Sequence, residues 1–352
     1  MTIQRNALPF AKRLAKSRLW ALGLITLLSA CAWWLLGLVR HTTNEPPRPV
    51  AQSAAPNLNQ LLGVPSTELS HYDIALLNLT CATGLPGAES LDVQQCLKTL
   101  DDWAERVRSE TARHLYRYRA NPAEFENSEA YFRMLIMAVV LYEDFHVRYN
   151  PDRVTDSSDQ FFANPGDVFL PGLCSNRRSG TCSSMPVLYV AIGRRLGYPL
   201  KLATTKAHVF LRWEGSAERF DLEATGKGMS RYDDQHFKQF PFPVTEAEIQ
   251  ADGYLKSLTG TEELALFLSL RGHCLRALGR ISEAAACYAE AVRLAPHSRP
   301  YKMLLAAAQE QCAQPPSPAG ATAPWPTPAG QPTPEPLLSR QLDPNPLLHI
   351  QR

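Results

Sequence analysis

The chain has 352 residues, of which 45% are hydrophobic and 20% charged, and its formal net charge is +2. This composition is that of a folded protein with one large or two modest domains. The near-neutral charge gives no reason to expect nucleic acid as a partner. The eight cysteines show no zinc-site spacing, so no metal or cofactor is predicted.

Residues 19–39 form an uncharged apolar stretch, long enough for a helix to cross about 30 Å of hydrocarbon. Basic side chains crowd into residues 1–18 before it. The positive-inside rule places such a segment in the cytoplasm. The sequence therefore predicts a single-pass anchor in the cell membrane, with the catalytic domain extracytoplasmic, in the periplasm.

Three alternatives to that anchor remain. Residues 28–31, LSAC, resemble a bacterial lipobox, which would make Cys31 a lipidation site. A signal peptide cleaved near the same place is the second alternative. An inverted anchor, with the main domain in the cytoplasm, is the third. The apolar residues that follow Cys31 favour an uncleaved span over lipidation or cleavage.

Many of the 28 prolines fall at the two flanks of the central sequence. Residues 40–56 are polar and rich in Pro and Ala, which predicts a linker from the membrane to the folded part. Residues 314–352 are rich in Pro, Ala, Gln and Thr, which predicts a disordered tail.

Residues 57–150 form a predicted helical region. Residues 70–73 match a capping box before a first helix that Gly84 ends. A second helix follows Ser90, with apolar residues spaced by three and four, and a third covers residues 131–145. Cys81 and Cys96 flank the intervening turn and could form a disulfide there.

Residues 151–255 form the second predicted domain. A loop leads to Cys182, where an apolar helical face begins that Gly197 closes. Strand patterns follow at residues 200–204, 208–213 and 219–222, with a turn between the last two. The predicted fold class is α+β.

Residues 262–313 are predicted to be tetratricopeptide-like helices. The consensus positions of one repeat are occupied by Gly272, Leu275, Gly279, Ala284, Tyr288, Ala291 and Pro296. One repeat must pack on a neighbour, and residues 301–312 could supply the next helix. A surface of this kind could bind a protein partner. Cys274 and Cys287 are interpreted as small core residues.

Three residues carry the predicted chemistry in the order Cys182, His208, Asp221. The thiolate is the reactive form of cysteine, and a helix N-terminus favours that anion. His208 begins a strand and could take the thiol proton. Asp221 lies on the next strand, where its carboxylate could hold the imidazole in one tautomer.

These residues resemble the transglutaminase-like superfamily, and more narrowly its bacterial members with a C-terminal tetratricopeptide segment. The resemblance rests on Gly180-Thr181-Cys182, the helix that ends in residues 195–199, the His208 strand and Phe220-Asp221. It implies a papain-like core, in which the helix carrying the cysteine packs on a small antiparallel sheet. Two departures concern Val209 after the histidine, where an aromatic is usual, and the lack of Pro and Thr directly after Asp221.

The resemblance implies Cys182 as nucleophile, His208 as base and acid, and Asp221 as orienting carboxylate. The predicted function is a membrane-anchored thiol acyltransferase or peptide or amide hydrolase, which acts on a protein or peptide through a thioester. The alternative is a catalytically inactive protein-interaction module. Cys174 either forms a regulatory disulfide or packs in the loop before Cys182.

Overall fold

The computed structural model describes residues 55–153, 161–225 and 229–313. The predicted anchor at residues 19–39, Cys31, and the tail at residues 314–352 lie outside them. Across the described ranges, no helix combines the length and apolar character needed to cross a membrane. The mixture of helices with small sheets confirms the α+β class.

The described residues form the following elements in chain order. The helices are α1 (Leu58–Leu62), α2 (Ile74–Ala82), α3 (Val93–Ala120), α4 (Glu129–Val139), α5 (Pro165–Val168), α6 (Leu170–Cys174), α7 (Met185–Arg195), α8 (Asp234–Gln239), α9 (Glu246–Asp252), α10 (Gly260–Ala277), α11 (Ile281–Leu294) and α12 (Arg299–Ala313). The strands are β1 (Arg148–Tyr149), β2 (Ser179–Gly180), β3 (Leu200–Thr205), β4 (His208–Glu214), β5 (Arg219–Glu223) and β6 (Ser230–Tyr232).

The three helices predicted before residue 150 are present, with one corrected start. Helix α2 is capped by Asp73, whose side chain accepts the Ala75 N–H at 2.8 Å. The predicted capping box at residues 70–73 is wrong, because Leu69–His71 already form a 3-10 turn. Helix α4 continues into a π-helical turn, Val140–Asp144, which extends it as the predicted apolar run requires.

Helix α2 lies at the centre of the larger core. Every residue of α2 is buried, and helices α3, α6, α7 and α10 pack around it. A helix that is apolar on all sides is stable only in such a position. The C-terminal helices therefore share a core with the helical region before them.

Strands β3 to β6 form a four-stranded antiparallel sheet in sequential order, and β6 is an edge strand that the sequence did not predict. Leu202, Leu211 and Leu222 lie side by side on the face that belongs to the larger core, where α7 packs. On the other face, Ala203 and Phe210 pack in a smaller core with residues of α8 and α9. Strand alternation places His208 on this second face, because it lies two residues before Phe210.

Helices α10, α11 and α12 pack consecutively, and the predicted helix at residues 301–312 lies within α12. Gly272 faces the Tyr288 ring, and a Cβ on Gly272 would lie 2.5 Å from a ring carbon. Gly272 and Tyr288, which are both consensus positions, are thus in contact, and the contact leaves no room for a side chain at residue 272. Their assignment to a tetratricopeptide repeat stays a prediction.

Candidate functional site

Cys182 lies in a turn immediately before α7, and the helix begins three residues later, at Met185. The predicted helix start at Cys182 is thereby corrected. The turn is held by side chains: the Thr181 and Ser184 hydroxyls donate to the Asp167 carbonyl at 3.0 and 2.7 Å. The half-buried Cys182 is therefore presented by a rigid turn rather than by a mobile loop.

The same Asp167 is an ionic anchor under the turn. Its carboxylate is fully buried and contacts Arg153 at 3.0 Å and Arg177 at 2.5 Å. A buried carboxylate needs such partners, because removal from water is costly. Two cations thus fix the position of Asp167, whose backbone carbonyl accepts the hydrogen bonds that hold the turn at Cys182.

Strands β1 and β2 fix the other side of this approach. They pair in parallel, and Asn150 donates its N–H to the Gly180 carbonyl at 2.8 Å. A Cβ on Gly180 would lie 2.6 Å from Ser184 Oγ and 2.9 Å from Leu173 Cδ1. The Gly-Thr-Cys sequence therefore has a packing reason for its glycine.

Gly180→Ala is expected to lower the free energy of unfolding by about 1–3 kcal/mol, because the added methyl group overpacks the turn. The matched control is Gly63→Ala, where the nearest atom to the new Cβ lies at an ordinary 3.5 Å. Urea unfolding measures both. Equal effects of the two substitutions would contradict this account of the turn.

His208 is buried beside the carboxylate of Glu223. Its Nε2 lies 2.6 Å from Glu223 Oε2, and the side chains are only 5% and 3% exposed. The Cys182 side chain interacts with the same imidazole and helps to raise its pKa. Because Nε2 is engaged by Glu223, Nδ1 is the ring nitrogen left for the thiol.

Glu223 is itself held in place by Thr225. The backbone N–H and the hydroxyl of Thr225 both donate to Glu223 Oε1, at 2.9 and 2.7 Å. Oε1 of Glu223 thus accepts hydrogen bonds from Thr225, and Oε2 lies against His208. This arrangement fixes both the position and the orientation of the imidazole.

The electrostatics of the pair favour the charged form of both groups. Burial lowers the pKa of His208, but the Glu223 charge and the interactions of the imidazole with Cys182 and Glu223 outweigh it and raise the pKa to about 10. Burial raises the pKa of Glu223, but the charge and hydrogen bond of His208, with Thr225, lower it on balance. At neutral pH the pair is an imidazolium and a carboxylate.

Asp221, predicted as the orienting carboxylate, has a different partner. Its oxygens accept two hydrogen bonds from Arg212, at 2.5 and 3.1 Å, and both side chains are 1% exposed. The cause is the strand register, which sets Asp221 directly opposite Arg212. The prediction of Asp221 as the carboxylate beside His208 is wrong, and Glu223 takes that place.

The sequence carried one signal for Glu223. Asp221 and Glu223 lie two residues apart on the same face of β5, so strand alternation favours neither. The resemblance led us to expect Pro and Thr after the carboxylate. Glu223-Ala224-Thr225 supplies the Thr at that spacing, and the structure shows what it does.

Aromatic side chains pack around the His208 ring. Its ring lies edge-on to Phe240, with centroids 5.4 Å apart, and is stacked toward Phe237. His236 stacks on Tyr232, with centroids 3.8 Å apart, and also on Phe240. These rings exclude water from the His208–Glu223 pair, which strengthens the interaction between their charges.

The predicted disulfide between Cys81 and Cys96 is not formed. Both are free thiols, and Cys81 is fully buried in the larger core. Cys274 and Cys287 are buried, as expected of small core residues.

No protein-family model, no curated protein and no solved structure matches this chain.

Proposed function

We propose that the chain is a cysteine-dependent acyltransferase or amide hydrolase of the transglutaminase-like kind. Cys182 is the nucleophile, His208 the general base and acid, and Glu223 the carboxylate that orients the imidazole. The single observation that carries this proposal is that buried His208 is hydrogen-bonded to Glu223 and also interacts with Cys182.

The charges of this series fit the first half of an acyl transfer. An imidazolium beside the sulfur stabilises a thiolate, which is the attacking form. The sulfur forms a bond to the acyl carbon, and in this proposal the backbone N–H of Cys182 stabilises the oxyanion. His208 then donates its proton to the departing amine as the acyl–nitrogen bond breaks, which leaves a thioester on Cys182.

The second half reverses the proton's path. His208, now neutral, takes a proton from water or from an acceptor amine, which attacks the thioester carbon. The carbon–sulfur bond breaks and the thiolate returns. Glu223 stays ionised throughout and keeps Nε2 protonated, so that Nδ1 faces the sulfur in both halves.

The proposed substrate class and the proposed membrane location both rest on the sequence. A protein or peptide acyl donor is the substrate class that the resemblance to the transglutaminase-like superfamily implies. An anchor at residues 19–39 would hold the site beside the outer face of a cell membrane. Helices α10 to α12 offer a surface on which a protein partner could bring the donor to Cys182.

The test is the rate of alkylation of each thiol in the full chain, followed by peptide mass spectrometry. Iodoacetamide at pH 7 is expected to label Cys182 at least about tenfold faster than the exposed Cys312, because Cys182 interacts with the charged imidazole of His208 and Cys312 has no such partner in the proposed site. His208→Ala should remove that advantage. Equal slow labelling of both cysteines would overturn the proposal and leave the interaction module as the better interpretation.

A further inference from the structure

Two cysteines outside the candidate site meet across the fold. Cys96 lies in the first turn of α3, and Cys174 is the last residue of α6. Helices α3 and α6 pack against each other, and the two thiols lie near enough for each to shift the pKa of the other. Both are free and partly exposed, whereas Cys81 and Cys274 are fully buried. Among the described residues, no other two partly exposed cysteines interact in this way.

The two thiols differ in a way that suits exchange with a disulfide. The interaction with Cys174 lowers the pKa of Cys96. The same interaction, together with burial, raises the pKa of Cys174. The more exposed thiol is thus the readier thiolate, and the more enclosed thiol lies beside it.

The segment that carries Cys174 already rests on α3. Arg178 donates to the carbonyl of Cys174 at 3.0 Å, and its guanidinium lies 4.7 Å above the ring of Trp103, a residue of α3. A link between Cys96 and Cys174 would therefore join two elements that are in contact without a large backbone movement.

We propose that Cys96 and Cys174 form a disulfide, made by exchange with a small-molecule or protein disulfide. The Cys96 thiolate attacks one sulfur of that disulfide, forms a mixed disulfide and releases one thiolate. Cys174 gives up its proton and attacks the Cys96 sulfur, which forms the internal bond and releases the second thiolate. In total, the two protein thiols are oxidised to one disulfide, and the external disulfide is reduced. One of the two thiolates that it releases takes up the proton that Cys174 gave up.

The disulfide would fix the start of the segment that leads to Cys182. Residues 175–181 run from the end of α6 to the nucleophile, through β2. The bond also closes the loop from Cys96 to Cys174, and the freedom that this loop loses in the unfolded chain stabilises the fold. The proposal does not depend on the chemistry of Cys182.

The test uses the full chain treated with oxidised glutathione, alkylated and digested without reduction. Mass spectrometry is expected to find one linked peptide pair, Cys96 with Cys174. The melting temperature should rise by about 5 °C and return after dithiothreitol. Cys96→Ser should abolish both effects, whereas Cys312→Ser, at an exposed cysteine, should change neither.

Three outcomes would overturn the proposal. One is alkylation of both thiols after oxidation. Another is a stable glutathione adduct on each of them. The third is a link from Cys174 to Cys182 instead. Because the rise and its reversal are measured on the unmodified chain, a poorly folding variant would not hide the result.

Discussion

Glu223→Gln is expected to slow alkylation of Cys182 by about 10- to 100-fold at pH 7, the range of a lost charge-assisted hydrogen bond. The amide keeps the shape of the side chain but not its charge. That charge is the largest cause that raises the pKa of His208. Without it, burial lowers the pKa of the imidazole, and the Cys182 sulfur loses the positive charge beside it.

The direction of the two pKa shifts determines how the stability effect of Glu223→Gln depends on pH. The pKa of His208 is raised from 6.5 to about 10, so its stabilising contribution is complete below pH 6.5 and is lost as pH rises through 10. The pKa of Glu223 is lowered from 4.5, so its contribution is present above pH 4.5 and is lost in acid.

The free-energy difference between the unmodified chain and Glu223→Gln should therefore be largest between pH 4.5 and 6.5 and shrink toward pH 10. Urea unfolding across this range measures it, beside the pH–rate profile of alkylation. A difference that does not change with pH would contradict the assigned ion pair.

Asp221→Asn is expected to destabilise the fold without slowing alkylation of Cys182, in contrast to Glu223→Gln. It should lower the free energy of unfolding by about 3 kcal/mol, because it removes a partner from a buried charge. Arg212 keeps contacts with Asp234 and the Leu255 carbonyl, at 2.5 and 2.8 Å, which limit the loss. In the folded protein, alkylation of Cys182 should proceed at the unmodified rate.

Asp234→Asn is the matched control for the stability effect. Asp234 also contacts Arg212, but its side chain is 36% exposed, so water replaces part of the lost interaction and the expected change is below about 1 kcal/mol. If Asp221→Asn slowed alkylation as much as Glu223→Gln, the assignment of the two carboxylates would be reversed.

Local patterns predicted most of the elements around the site. The apolar spacing after Ser90 identifies the face of α3 that the structure buries, including Leu100, Trp103 and Val107. The strands predicted at residues 200–204, 208–213 and 219–222 match β3, β4 and β5 to within a residue at each end. These features depend on neighbours in the sequence, which is why the sequence suffices.

The carboxylate could not be chosen on the same grounds. Asp221 and Glu223 share a face, and only the register, which sets Arg212 opposite Asp221, separates their roles. The contact of Cys96 with Cys174 depends on how α3 and α6 pack, which no local pattern reports. Both features are set by tertiary structure.

The central claim is that Cys182 accepts an acyl group with the help of His208. The most direct measurement is peptide mass spectrometry after brief treatment of the full chain with p-nitrophenyl acetate at pH 7. The account predicts one acetyl group on Cys182 that decays with time, and almost none in His208→Ala. Acetylation of Cys182 that is equally fast in both chains, or that appears first on Cys312, would contradict it.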